Sequence, residues 1–169
     1  VSDLASARLE TSTVSGNHGA EAPGDGIVVD SASILKVAYS TITDNTGNGI
    51  YALSGVIVET ENSIVADNGV NDCNGSITSL GYNLIGDNEN CVFTSSTGDL
   101  IGITEEPYNP LLGLLQNNDG PTLTHAIAPD SPAVNAGGDG CIGDQDQRGV
   151  GRPIGSACDI GAYEAATVL

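Results

Sequence analysis

The chain has 169 residues with one Phe and no Trp or Met, so its core must be built from Val, Ile, Leu, Ala and small polar side chains. Its 22 Asp and Glu against four Lys and Arg give a formal net charge of −18. This charge excludes nucleic acid as a partner, because phosphate contacts need basic side chains, and it disfavours an anionic membrane surface. No apolar run is long enough to span a bilayer, so no membrane span is predicted.

One short phrase recurs four times in the first half of the chain, each time with asparagine at its end. The copies are residues 12–17, 40–45, 63–68 and 83–88, and their final asparagines are 28, 23 and 20 residues apart. A period in this range, with strand-like content, is typical of a chain that winds into a solenoid.

Aligning the copies on their asparagines produces columns of equivalent positions. Because alternate strand residues face the same side, two columns are predicted to point inward and the column between them outward. The inward columns are Ser12, Ser40, Ser63, Asn83 and Val14, Ile42, Val65, Ile85, and the outward column is Thr13, Thr41, Ile64, Leu84. Further alternating apolar residues add two strands to each repeat. The pattern therefore predicts an all-β fold, a parallel β-helix of a few short coils.

The asparagine column has a predicted structural role. At a bend, each amide can donate a hydrogen bond to the amide oxygen of the next coil, which forms a ladder and satisfies buried polar groups. The predicted ladder consists of Asn17, Asn45, Asn68 and Asn88.

The column that precedes the asparagines is acidic, with Gly16 followed by Asp44, Asp67 and Asp87. Stacked coils lie close together, so these carboxylates either spread into water or bind calcium, which takes oxygen ligands. We expect the solvated edge, and no cofactor, because the column lacks the glycine-rich repeat of calcium-binding β-rolls.

The repeat fades after Cys91, and six of the seven prolines lie between residues 107 and 164. Regular strands are therefore not expected there, and Ser131–Gly137, with a capping Ser and a terminating Gly, is predicted to form a helical turn. We divide the single domain into β-helix coils at 1–91 and a final irregular coil with a C-terminal cap at 92–169. A solenoid needs such a cap because its last coil otherwise exposes strand edges.

Four cysteines in so polar a chain predict an oxidised, exported protein. Three pairings are possible, and the two local ones, Cys73 with Cys91 and Cys141 with Cys158, are expected. A metal site is the alternative, but no Cys-x-x-Cys spacing exists. Asn74 begins an Asn-x-Ser glycosylation sequon in a predicted surface loop.

Several longer phrases carry a family resemblance. They are Ser79-Leu-Gly-Tyr-Asn-Leu-Ile85, Asn109-Pro-Leu-Leu-Gly-Leu-Leu115, the run from Gln116 to Ala126, Ser131-Pro-Ala-Val-Asn-Ala-Gly137, Asp146-Gln-Arg-Gly-Val-Gly-Arg-Pro153 and Cys158-Asp-Ile-Gly-Ala-Tyr-Glu164. Together they resemble the choice-of-anchor Q domain, which is found at the C-terminal end of secreted right-handed β-helix proteins of bacteria and archaea.

The resemblance covers roughly residues 34–164 and implies a right-handed β-helix at the cell surface, closed by the Asp-Gln-Arg-Gly and Asp-Ile-Gly-Ala-Tyr-Glu segments. The family has no general enzymatic activity to transfer. In relatives an anchoring tail usually follows the Tyr-Glu pair, whereas only residues 165–169 follow it here.

No catalytic site is evident in the sequence, and the chain is expected not to be an enzyme. Arg148 and Arg152 lie beside Asp144 and Asp146, where buried ion pairing that holds the cap is expected. His18 and His125 have no Ser or Cys partner that the sequence identifies. A β-helix carbohydrate enzyme needs only two carboxylates and stays an alternative.

The first coil suggests a function, because the β-helix pattern begins almost at once and no capping segment is evident before it. An open coil end favours pairing with another chain, and a head-to-tail contact can build a filament. We therefore expect a non-enzymatic extracellular or cell-surface structural protein that partners itself, with Val1 at a processed terminus and residues 1–8 as a donated strand. The alternative is an adhesin that binds a cell-surface glycan or protein through its outer β-face.

Overall fold

The computed structural model describes residues 5–19, 26–30, 33–141 and 143–166. Residues 1–4 of the predicted donated strand lie outside this range, and its residues 5–8 pair with residues 33–36 of the same chain instead of with a neighbour. Within it, the chain forms short strands and one 3-10 helix. The strands are β1 (Ala5–Glu10), β2 (Thr13–Ser15), β3 (Ile27–Val29), β4 (Ser33–Ala38), β5 (Thr41–Thr43), β6 (Ile50–Ala52), β7 (Ile57–Glu61), β8 (Ile64–Val65), β9 (Cys73–Gly81), β10 (Leu84–Ile85), β11 (Cys91–Thr94), β12 (Leu100–Ile101), β13 (Leu112–Gln116) and β14 (Thr124–Ile127).

The first twelve strands wind into a right-handed parallel β-helix, which confirms the predicted fold class. We call residues 5–101 the coil stack. Sheet A stacks β1, β4, β7, the second part of β9, and β11; sheet B stacks β2, β5, β8, β10 and β12; sheet C stacks β3, β6 and the start of β9. The columns read from the sequence match the strand register, since Val14 pairs with Ile42, Ile42 with Val65 and Val65 with Ile85.

The interior of the stack is filled mainly by aliphatic side chains. Val37, Ile42, Ile50, Val58, Val65 and Ile85 are almost fully buried in one cluster. Thr60 lies between Val37 and Ser79 in the register of sheet A, and its buried hydroxyl has no hydrogen-bond partner. An unpaired buried hydroxyl costs free energy, so this position weakens the core.

The corners of each coil depend on residues in the left-handed region of backbone space. Thr11, Tyr39, Asn62 and Tyr82 occupy it between sheets A and B, and Gly16, Asp44 and Asp67 occupy it just after sheet B. Asp tolerates this conformation better than most residues because its short polar side chain bonds locally. The backbone geometry of the corner therefore accounts for Asp44 and Asp67 of the acidic column.

The C-terminal residues occupy an unexpected position. We call residues 112–166 the side segment, because they lie along the outer face of sheet B and not over the end of the coil stack, as a closing cap would. Ile64 and Leu84 of the outward column are fully buried against Ile127, Ala133 and Ile160 of this segment. Thr41 is 2% exposed, and its hydroxyl accepts a hydrogen bond from the backbone N–H of Ala162.

Two local predictions for this region are wrong. Regular strands do persist, since β13 and β14 form an antiparallel hairpin with an irregularity between Leu112 and Leu115. Ser131–Gly137 forms turns, and the 3-10 helix lies later, at Asp139–Cys141. The prolines were compatible with the hairpin because they fall outside its two strands.

Candidate functional site

The asparagine ladder begins as the alignment predicts. The side-chain amide of Asn17 donates to Oδ1 of Asn45 at 2.8 Å, and Asn45 donates to Oδ1 of Asn68 at 2.9 Å. The same oxygens accept the backbone N–H of the preceding rung. Each rung is thus donor and acceptor at once.

The fourth rung differs from the prediction, because Asp72 occupies it and Asn88 does not. Oδ1 of Asp72 accepts both the backbone N–H and the side-chain amide of Asn68 at 3.0 Å, and its Oδ2 accepts the backbone N–H of Asp87. A carboxylate only accepts, so the ladder ends there. Burial raises the pKa of Asp72, an effect that the hydrogen bonds from Asn68 partly offset.

A second ladder runs along the serine column, at the corner between sheets A and B. The backbone N–H of Ser12 donates to the hydroxyl of Ser40, and that of Ser40 donates to Ser63. Ser63 then donates to Oδ1 of Asn83, whose own backbone N–H donates to Oδ1 of Asp99 at 2.8 Å. This ladder also ends on a carboxylate.

A third ladder has the opposite direction and was not predicted. The amide of Asn90 donates to Oδ1 of Asn71 at 3.0 Å, and Asn71 donates to Oδ1 of Asn48 at 2.7 Å. Asn48 and Asn71 each lie two residues before a strand of sheet C, so aligning the sequence on that sheet would have found this pair, whereas Asn90 precedes β11 of sheet A.

The acidic column brings Asp44 and Asp67 of successive coils close together. Among the residues that the structure describes, no group of three or more His, Cys, Asp and Glu side chains is placed to hold a metal ion. Burial raises the pKa of Asp67, and the neighbouring Asp44 raises it further. The proximity of these two carboxylates therefore destabilises the folded state at this corner.

The four cysteines form the two local disulfides. Cys73 and Cys91, whose Cα atoms are 5.3 Å apart, join β9 to β11 within the stack. Cys141 and Cys158 lie in the side segment and are buried against Ala38 and Tyr39 of the coil stack. Asn74 of the sequon lies within β9, paired with Tyr51, and not in a loop.

The side segment is organised around buried charges. Arg148 donates from Nε and Nη2 to Oδ2 of Asp146, and its guanidinium lies 3.5 Å from the ring centre of Tyr163. Arg152 is 4% exposed and pairs with Glu164 at 3.4 Å. The expected pairing of both arginines is therefore present, with Glu164 in the place given to Asp144.

Several backbone groups complete this charge network. Arg152 also donates to the carbonyl oxygens of Asp159 and Gly161. The Glu164 carboxylate accepts the backbone N–H of Ile154 and of Asp159. Burial lowers the pKa of Arg152 and raises that of Asp159.

Two contacts join the side segment to the first coil. The hydroxyl of Thr13 donates to Oε1 of Gln147 at 2.6 Å. The hydroxyl of Ser15 lies 2.7 Å from Nε2 of His125, which is the partner that sequence reasoning did not find for this histidine. Residues so distant in sequence meet only because the side segment returns along sheet B to its first strand.

Both ends of the coil stack carry free strand edges within the described residues. At one end, β1, β2 and β3 pair on one side only, with β4, β5 and β6. At the other end, β11 pairs with β9 and β12 with β10. The apolar residues at both ends are only partly buried, namely Leu9, Val14 and Ile27 at the first and Cys91, Phe93 and Ile101 at the last.

Comparison with known proteins identifies the coil stack. A family model described as a right-handed β-helix region matches residues 2–111, which ends one residue before β13. Searches among curated proteins and among solved structures found no match. No helix in the described part of the chain is long and apolar enough to cross a membrane.

Proposed function

This chain belongs to the family of right-handed β-helix regions, and we propose that it is an extracellular structural protein whose coil stacks join end to end into a filament or surface layer. The free edges at both ends of the stack are the observation that carries this proposal. The proposed partner is a second copy of the chain.

The two ends are suited to each other. The first coil presents strands of sheets A, B and C and the last presents strands of sheets A and B, so β11 and β12 of one copy can pair with β1 and β2 of the next. Such a contact would cover the partly buried apolar residues at both ends, including Leu9 and Phe93. Because the contact is heterologous and head to tail, nothing limits it to a dimer.

The setting is proposed to be the cell surface or the extracellular medium. All four cysteines are paired in the two disulfides, which supports an oxidising compartment. The phrases that resemble the choice-of-anchor Q domain support the same setting. The charge of −18 opposes close packing of copies, so assembly should increase with ionic strength.

Electron microscopy and analytical ultracentrifugation test the proposal. We expect the wild-type chain to form linear particles as protein and salt concentrations rise. Phe93→Asp at the last coil should prevent growth, whereas Leu114→Asp, on an 85% exposed side chain of the hairpin, should leave it unchanged. A wild-type chain that stays monomeric at all salt and protein concentrations contradicts the proposal.

The same proposal holds that the chain does not process polysaccharides. Sugar-binding enzymes use exposed aromatic platforms, whereas Tyr39 is buried, Tyr163 lies under the guanidinium of Arg148, and Tyr108, at 39%, is the one tyrosine of the described residues that is exposed. Incubation with neutral polysaccharides should release no reducing ends.

A glycan- or protein-binding adhesin is a second candidate. The outer face of sheet A is favoured for it, because the side segment covers sheet B and leaves Ile57 and Val92 exposed on sheet A. Binding on a glycan array, lost on Ile57→Asp but not on Leu114→Asp, would support this candidate.

A further inference from the structure

A cleft lies between the first strand of sheet B and the side segment. Thr13 and Ser15 of β2 line one wall, and Leu115, Leu123 and Gln147 line the other. The cleft therefore combines hydroxyl groups with an apolar wall, and it is separate from the buried charges of Arg152 and Glu164.

Ser15, which lines this cleft, contacts His125 with the geometry of a nucleophile and its base. The serine Oγ is 2.7 Å from Nε2 of the histidine, and Nδ1 of the same ring is 2.7 Å from the carbonyl oxygen of Gly113. Activated nucleophiles in enzymes have this arrangement, in which a third group orients the base.

The Gly113 contact assigns the protons of the pair. A carbonyl oxygen only accepts, so Nδ1 of the neutral ring carries the hydrogen and donates it. Nε2 is then the lone-pair nitrogen, and the Ser15 hydroxyl donates to it. His125 is 5% exposed, so packing as well as this hydrogen bond fixes the ring.

The backbone offers donors beside the nucleophile. Ser12 and Gly16 bond toward the second coil, since the carbonyl of Ser12 accepts from Thr41 and the N–H of Gly16 donates to Asp44. Bonding directions alternate along a parallel strand, so the N–H groups of Thr13 and Ser15 point to the free edge of β2. Such donors can stabilise a developing oxyanion.

We propose that Ser15, with His125 as base, accepts an acyl group from a small uncharged ester. The apolar wall, where Leu123 is 50% exposed, suits a short aliphatic acyl chain. The net charge of −18 disfavours anionic acyl donors. This inference goes beyond the structural function and does not depend on it.

The step balances without any further reactant. Oγ of Ser15 attacks the ester carbonyl carbon while Nε2 of His125 takes the hydroxyl proton. The tetrahedral intermediate then collapses, the carbon–oxygen bond to the alcohol breaks, and the proton passes from Nε2 to the departing oxygen. The products are acyl-Ser15 and the free alcohol.

The test uses p-nitrophenyl acetate and the wild-type chain at low protein concentration, so that stacking on the first coil does not cover the free edge. We expect release of p-nitrophenolate together with a mass increase of one acetyl group, located on Ser15 by peptide mass spectrometry. Ser15→Ala should abolish the increase. His125→Asn, whose amide can still donate to Gly113, should reduce the rate at least about tenfold, as for loss of a general base.

Thr78→Val is the control, because this exposed hydroxyl lies on β9, outside the residues that line the cleft. It should leave acetylation of Ser15 unchanged. Melting curves of all variants establish that each is folded. Acetylation spread equally over the exposed hydroxyls, or a folded His125→Asn variant that reacts at the wild-type rate, would overturn the proposal.

Discussion

The coil stack and the side segment are stabilised in different ways. In the stack, neutral rungs such as Asn17, Asn45 and Asn68 repeat one contact along each corner. In the side segment, charged groups such as Arg152 and Glu164 each make a different contact, deep in the protein. A repeated neutral contact distributes stability over many similar bonds, whereas a buried charge concentrates it in one place.

The largest expected effect comes from breaking the buried pair. Arg152→Met leaves the Glu164 carboxylate buried without its counter-charge, and we expect it to destabilise the protein by about 3–5 kcal/mol. Urea unfolding measures this loss of stability. In hydrogen exchange, residues 133–165 should lose protection first.

The matched control for this variant is Arg8→Met, which removes an exposed pair with Glu10. Exposed pairs contribute little, so its unfolding midpoint should hardly change. Equal effects of the two substitutions would contradict the contrast between the regions.

A rung of the ladder should have a smaller effect. Asn45→Ala leaves the side-chain amide and the backbone N–H of Asn17 without their acceptor and Oδ1 of Asn68 without one of its two donors, which we expect to cost about 1–3 kcal/mol. Asn88→Ala tests the corrected register, because Asp72 occupies the fourth rung. If Asn88→Ala were as destabilising as Asn45→Ala, this assignment of the ladder would be wrong.

One core position of the stack should gain stability. Thr60→Val replaces a buried, unpaired hydroxyl with a methyl group of similar shape, and we expect a gain of about 1 kcal/mol in the free energy of unfolding. The same substitution at Thr41 should destabilise, because that hydroxyl accepts from Ala162. Thermal or urea unfolding of the two variants checks the opposite signs.

The smallest effect is expected from mild acid. Burial raises the pKa of Asp67, Asp72 and Asp159 above the ordinary carboxylate value of about 4. The folded state therefore binds their protons more tightly than the unfolded state, so their unfavourable contribution is complete above the raised pKa and is relieved as pH falls through it.

Urea midpoints measured from pH 7 down to the ordinary carboxylate pKa of about 4 should show this rise in stability. Asp72→Asn should flatten the trend by removing one of the three groups. A midpoint that falls steadily over this whole range would contradict the pKa directions.

The sequence predicted the coil stack well because a solenoid repeats its contacts at a fixed period. Thr13, Thr41, Ile64 and Leu84 could be assigned outward from the asparagine alignment alone. The residues that cover this outward column could not be predicted, because Ile127 and Ile160 belong to the side segment, whose sequence does not repeat.

The same reasoning explains the errors at individual residues. Asn88 matches the recurring phrase in sequence, but the side chain of Asp72, from the preceding loop, occupies the fourth rung of the ladder. Only the three-dimensional structure shows this. Ser15 and His125 are separated by 110 residues, so no local pattern connects them.

The carboxylate endings of two ladders constrain how this architecture can grow. A duplicated coil with Ser and Asn at the two corners could be inserted before the third coil, because each new rung would donate and accept like its neighbours. A coil inserted after Asp72 and Asp99 would instead adjoin a carboxylate, which accepts hydrogen bonds and donates none to the next coil. Coil duplication therefore extends both ladders on the first-coil side of these acids and interrupts them on the other side.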